Sequence, residues 1–309
     1  MTAEAPRGGD PRGASPYPAN VGALRRASIW LYRHPRARLR ALLASPLGWI
    51  AVVYLGSLFV LLLHAFWSKD SFTGKVAPFD WSLAAFAEIF GNDVYRTIAV
   101  RTIGIAVAVT LTDALLALPI AYYMARVASP RRRRAIVIAV LMPLWAAYLV
   151  KAYAWRTILQ GNGLLSWALG PFGIAGPGLD ELQNTWIVLS YLWLPYMILP
   201  IYAGLERIPN ALLEAASDLG AGAGSTFRRV VLPLLFPSIV AGSIFTFSLS
   251  IGDYIVPDLV SDAKFIGNVI YDNSALGNFP LAAAYSLLPV AVMIGYLAIA
   301  RRMGAFESL

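Results

Sequence analysis

The sequence predicts an all-α polytopic membrane protein with six transmembrane helices, on three observations. Hydrophobic residues fill 58% of the 309 positions and charged residues only 14%, far from the soluble norm of about 25% charged. Six apolar windows lie near 46–67, 97–127, 135–153, 185–205, 234–256 and 281–300. Each is close to, or longer than, the roughly 20 residues that a hydrocarbon core about 30 Å thick requires. The basic residues also fall unevenly between the two sides that these windows define.

The chain opens with a Pro-, Gly- and Ala-rich stretch at 1–20, which reads as disordered. Residues 24–43 then mix Arg25, Arg26, Arg33, Arg36, Arg38 and Arg40 with Leu24, Ile29, Trp30, Leu31, Leu39 and Leu42. Such a segment either lies as a helix along an anionic membrane surface or serves as a solvated basic tail that sets topology. No apolar run occurs before Ser45, so no cleaved signal peptide is expected. Residues 1–45 are therefore read as a cytosolic N-terminal tail and 46–309 as the transmembrane domain.

Placing the N-terminus in the cytosol puts Arg126, Arg131 to Arg134, Arg207, Arg228, Arg229, Arg301 and Arg302 there too. The opposite side keeps Lys69, Lys75, Arg96, Lys151, Arg156 and Lys264. That is the positive-inside asymmetry, so the net charge of +8 is not a nucleic-acid footprint. Six spans return the C-terminus to the cytosol, leaving both termini cytosolic. With no cysteine, disulfides and thiolate metal sites are excluded.

Each connection has its own character. The second window exceeds what the core needs and should tilt or project into water. Outside, residues 68–96 carry Trp81, Phe86 and Phe90 and read as an amphipathic interfacial segment. Residues 154–184 are dense in Gly and Pro, with Trp155 and Trp167 as interfacial anchors. Pro119, Pro143, Pro195, Pro200, Pro233, Pro237 and Pro289 should bend or break the spans. Small residues at Gly104, Ala106, Ala108, Gly242 and Ser243 permit close helix contacts.

The polar loop at 206–233 is the most informative stretch. Asn210 is a suitable N-cap, and Ala211 to Leu219 read as a short helix with Leu212, Ala215, Ala216 and Leu219 on one face. Gly220 supplies the left-handed C-cap, and Ser225 can cap a second helix rising towards Pro233. Two short helices joined by glycines make a compact knob, with Glu214 and Asp218 on adjacent turns able to engage basic groups.

In order, Glu214-Ala215-Ala216, three residues, Gly220, nine residues and Val230-Val231-Leu232-Pro233 resemble the EAA loop of the permease subunits of ABC importers. Val230 replaces the usual Ile. Several other stretches resemble the B-type subunit of the spermidine/putrescine branch. They are Ala117-Leu118-Pro119-Ile120-Ala121-Tyr122-Tyr123-Met124-Ala125-Arg126, Lys151-Ala152-Tyr153-Ala154-Trp155 with Gly161-Asn162-Gly163-Leu164-Leu165, Leu194-Pro195-Tyr196-Met197-Ile198-Leu199-Pro200 and Gly252-Asp253-Tyr254-Ile255-Val256-Pro257-Asp258. Ser261-Asp262 stands where the family tends to have Gly-Gly, and Phe279-Pro280 where Trp-Pro is usual.

The resemblance implies the type I ABC importer permease fold in a bacterial inner membrane. It implies a second permease subunit, two copies of a cytosolic ABC ATPase that bind ATP and Mg, and an extracytoplasmic substrate-binding protein. No cofactor is expected in this chain. Glu214, Ala215, Ala216, Asp218, Leu219 and Gly220 would be the ATPase-coupling residues. The solute would be a polyamine or related small cation, or else an opine, amino acid-like or phosphonate solute.

An ionised carboxylate inside a bilayer costs about 2.5–3.5 kcal/mol on insertion scales, so each needs a reason. Asp253 and Tyr254, with Trp193, Tyr196 and Asp258 nearby, are candidates to line a route for ammonium groups. The alternative is that Asp253 pairs with Arg101 or Lys151 as architecture. Asp113, within the second span, is read as capping a kink near Pro119. An intramembrane enzyme would need a nucleophile with its base or metal ligands, yet only His34 and His64 are present and no nucleotide loop is found. A gradient-driven secondary transporter would leave the EAA-like loop unexplained.

Overall fold

The computed structural model describes residues 22, 32, 34–70, 76–173, 178 and 182–302. The expected disorder at 1–20 lies outside them, as do residues 24–31 and 33 of the basic segment. Residues up to Val60 cluster as one unit and those from Leu61 as another. Helix α1 (Pro35–Trp49) runs through a π-helical stretch at Ile50–Leu55 into α2 (Gly56–His64), whose last residues from Leu61 belong to the second unit; Arg38–His64 is one apolar helical run.

After the end of α2 the second unit forms a hairpin that the sequence reading did not anticipate. Strands β1 (Trp67–Lys69) and β2 (Val76–Trp81) pair antiparallel, Trp67 opposite Trp81 and Lys69 opposite Val76, with a register shift after Trp67. The hydroxyl of Ser68 donates to Asp80 at 2.5 Å. Strands this short carry too few alternations to show a period of two. Helix α3 (Ala84–Gly91) follows and buries Ala85 and Ile89, whereas Trp81 and Phe90 stay exposed.

Helix α4 (Asp93–Tyr122) is capped by Asn92, which accepts from the Val94 amide at 2.9 Å. It passes Pro119 into a π-helical stretch at Tyr123–Val127, and the whole run covers 35 residues. At about 1.5 Å per residue that is longer than the hydrocarbon core, as expected. The third window fares differently. Helices α5 (Pro130–Trp145) and α6 (Tyr148–Leu159) meet at a 95° bend, so 135–153 is not one straight span. Ala146 and Ala147 turn extended there, with ψ of 137° and 139°. Pro143 has already removed a backbone donor from the last turn of α5, and the break lets α6 lie against the helices at Leu182–Arg207 and Ile255–Val260. Short α7 (Leu164–Leu169) and a 3-10 turn at Gly170–Phe172 complete this region.

Helix α8 (Leu182–Arg207) leads into α9 (Asn210–Asp218), α10 (Ala223–Thr226), a π-helical stretch at Phe227–Val231 and α11 (Leu232–Ile251). Then come α12 (Ile255–Val260), α13 (Ile266–Ala275) and α14 (Phe279–Arg302). The described residues thus contain five helices long and apolar enough to cross a membrane, or six if the bent pair counts as one span.

Helices α4, α8 and α11 pack mutually as the centre of the unit. Near the α9 end, Ala117, Ala121, Met124, Ile201, Leu205 and Leu235 form one buried cluster. At the other end, Ile98, Ile266, Leu281 and Tyr285 form another, and the Tyr285 hydroxyl donates to the Tyr95 carbonyl at 2.8 Å. Close approach of α8 and α11 depends on Gly242, where a Cβ would lie 2.7 Å from Met197 Sδ and 3.2 Å from its Cα. Gly104 faces open space, so the expected close contact holds at Gly242 and not there.

Candidate functional site

The knob forms, although its inner face differs from the expected one. In α9, Ala216 is buried and Leu213 packs beside it against the cluster holding Ile208 and Val231. Leu212, Ala215 and Leu219 point outward, with Leu219 88% exposed. The predicted apolar face is therefore split, because so short a helix docks only along its Leu213–Ala216 edge. Glu214 and Asp218 are exposed beside the outward stripe.

Gly220 adopts φ of +75°, the left-handed region that its missing Cβ allows. Its amide donates to the Ser217 carbonyl at 2.8 Å and the Ala221 amide to Ala216 at 3.0 Å, the paired bonds of a Schellman ending. The expected caps are not used. Pro209 takes the N-cap position of α9 and no side chain caps it, while Asn210 Oδ1 accepts from Arg126 Nη1 at 2.5 Å. Gly222 precedes α10 and Ser225 lies inside it.

At the far end of α11, Asp253 is 92% buried (8% exposed). Its Oδ2 accepts from the Tyr148 hydroxyl at 2.5 Å, and its Oδ1 accepts from the amides of Ile255 and Val256 at 2.9 and 3.0 Å. It thus caps the start of α12. Its partners are Tyr148 and the α12 amides, and not Arg101 or Lys151 as in the pairing alternative. Trp193 stacks on Tyr148 with centroids 5.9 Å apart and meets Tyr196 edge-on at 5.9 Å. Four of these residues, Tyr148, Trp193, Tyr196 and Asp253, therefore form one cluster.

Tyr254 and Asp258 belong to a neighbouring cavity of about 240 Å³, also lined by Tyr153, Asn268, Tyr271 and Asp272. Tyr254 stacks on Tyr271 with centroids 4.9 Å apart. Asn268 Nδ2 donates to the Tyr254 carbonyl at 2.8 Å and fixes that loop. Lys264 Nζ stands 3.3 Å from both Asp258 Oδ1 and Asp272 Oδ2. Partial burial opposes its charge, but the hydrogen bonds and charges of the two carboxylates outweigh that and hold its ammonium above the ordinary lysine range.

Asp113 is fully buried in α4, and the polar side chain beside its carboxylate is Ser190 of α8. It does not cap a kink near Pro119. Tyr148, Tyr271, Asp272 and Lys264 were not singled out as site residues from sequence. Only Tyr271-Asp272, an aromatic-acid pair one helical turn after Asn268, carried a local signal.

A core of α4, α8 and α11 packed together, with two short helices between α8 and α11, is the fold of an ABC importer's membrane subunit. The chain is similar in fold to one in the crystal structure of a bacterial alginate ABC transporter in complex with alginate pentasaccharide-bound periplasmic protein. The TM-score is 0.70 at 20% identity, covering 89% of this chain and 96% of that one. The chain belongs to the family of binding-protein-dependent transport system inner membrane components, which it matches over residues 106–305. It is 44% identical over 302 residues to the inner membrane ABC transporter permease protein YdcU of Escherichia coli (strain K12), covering 93% of this chain and 96% of the relative. It is 30% identical over 246 residues to the spermidine/putrescine transport system permease protein PotB of Haemophilus influenzae, covering 78% and 85%. This is therefore a permease subunit of an ABC importer, a transport component and not an enzyme.

Proposed function

We propose that this permease carries polyamines or related small cations inward, and that α9 and α10 are the socket for a separate ATPase. The outward stripe of Leu212, Ala215 and Leu219 carries the socket reading. Burying one leucine is worth about 1.5–3 kcal/mol, and Leu219 is left almost wholly bare. The carboxylates Glu214 and Asp218 rim the stripe and fit basic groups on a partner, which suits an interface with an apolar centre and a polar margin.

In this reading both termini are cytosolic in a bacterial inner membrane. A second permease, two copies of the ATPase and an extracytoplasmic substrate-binding protein complete the assembly. ATP and Mg are held by the ATPase, whose closure carries the knobs and turns the spans from inward-facing to outward-facing. The polyamine assignment draws on the relatives named for spermidine and putrescine. It also draws on the carboxylates and tyrosines around Asp253, Tyr254 and Asp258, with Trp193 and Tyr196 behind them. Aromatic faces and carboxylates stabilise ammonium groups while letting them move on.

The test is uptake by the reconstituted assembly with its own receptor protein, supplied with spermidine, putrescine, an opine or a phosphonate. Polyamine uptake that depends on ATP, and falls on Asp253→Asn or Tyr254→Ala, is expected. Equal uptake in both variants would remove these residues from the route. Preference for the anionic solute would overturn the polyamine assignment.

A further inference from the structure

Two arginines tie three helix ends together beside the knob. Arg126, in the π-helical stretch after α4, reaches across to α8. Its Nη2 donates to the Leu205 and Ile208 carbonyls at 2.7 Å each, and its Nη1 donates to Asn210 Oδ1 at 2.5 Å. Arg133, in the first turn of α5, turns back on α4. Its Nε donates to the Met124 carbonyl at 2.9 Å and its Nη2 to Ala125 at 3.1 Å. Its Nη1 lies 3.3 Å from Glu206 Oε1, the same oxygen that accepts from the Tyr202 hydroxyl at 2.5 Å.

A helix ends with carbonyls that have no partner within the helix, and the negative end of its dipole favours a cation. Here each helix end is closed by its neighbour. The arginine following α4 caps α8, and the arginine of α5 caps the end of α4. The guanidinium of Arg126 also straddles the link between α8 and α9, holding carbonyls before it and the first residue of α9 after it. Movement of α9 must either break that planar fork or carry α4 along.

We infer that Arg126 is the strut that passes a displacement of α9 to α4, with Arg133 passing it on to α5. The inference rests on the reading of α9 as the ATPase socket. Arg126 is a positioning residue that touches neither solute nor nucleotide. A lysine cannot replace it fully, since a single ammonium on a flexible stem does not reproduce the rigid fork.

The experiment compares Arg126→Gln, Arg126→Lys, Asn210→Ala and Leu219→Ser with wild type in the complete reconstituted transporter. Retained ATPase and solute taken up per ATP hydrolysed are both read. For Arg126→Gln the expected result is a normal complement of ATPase with uptake per ATP lowered about tenfold or more, since a hydrogen bond to a charged group is worth that much. Arg126→Lys should fall between. Asn210→Ala removes one such bond, leaves the α8 cap in place and should lower uptake per ATP about tenfold; it decides the matter should Arg126→Gln fail to assemble. Unchanged uptake per ATP in Arg126→Gln, or in Asn210→Ala where it must decide, overturns the strut. Loss of bound ATPase from a well-folded Arg126→Gln overturns it too, because the residue would then only shape the knob. Leu219→Ser that keeps its ATPase would sink the socket reading, whatever the arginine variants do.

Discussion

Gly220 and Asp253 show what a single position contributes at either end of the molecule. At Gly220 an alanine would be held at φ of +75°, a left-handed conformation that costs an L-residue about 1–2 kcal/mol. Gly220→Ala is therefore expected to speed hydrogen exchange at the C-terminal amides of α9 and to weaken ATPase retention. Asp253 accepts three hydrogen bonds while almost wholly buried. Asp253→Ala should lower the unfolding free energy in detergent by about 1–3 kcal/mol, and Asp253→Asn by less, because the amide oxygen can still cap α12. The left-handed glycine was legible in sequence because it depends on its own backbone. The cap at Asn210 was misread because a competing donor, Arg126, lies 84 residues away and no local pattern records it; that at Ser225 was misread because the helix already starts at Ala223. Tyr148 escaped notice for the same reason, being 105 residues from Asp253.

Helices were easier to read than their joints. Five of the six apolar windows correspond to long helices, since hydrocarbon thickness alone dictates their length. The third did not remain straight. Pro143 signalled weakness in α5, but the turn at Ala146 and Ala147 depends on where α6 finds its neighbours. The β1–β2 hairpin is likewise held by pairing rather than by propensity. Between α8 and α11 the fit is tight enough to test by a double substitution. Gly242→Ala should destabilise by about 1–3 kcal/mol, since the new methyl meets Met197 Sδ and Cα. Met197→Ala should recover part of that loss. Additive effects of the two changes would show that this contact does not set the helix spacing.

For the whole molecule, the 95° meeting of α5 and α6 governs how many times the chain crosses the bilayer. The absence of cysteine makes the answer accessible: a single introduced thiol is labelled without background. Ser217→Cys in α9 should react with an impermeant maleimide only from the cytosol, while Ala168→Cys in α7 and Ala275→Cys in α13 should react only from outside. All three positions are exposed. Labelling of Ala168→Cys from the cytosol would make the bent pair re-entrant and remove the six-span topology.

The bareness of Leu219 also bears on the lifetime of the subunit before assembly. A copy that has not yet met its partner holds an oily side chain in water, which chaperones and proteases recognise. Such copies should be cleared faster than assembled ones. In a pulse-chase without the ATPase the half-life should shorten, and Leu219→Ser should lengthen it again. The side chain proposed to receive force would then also limit how many stray copies the cell retains.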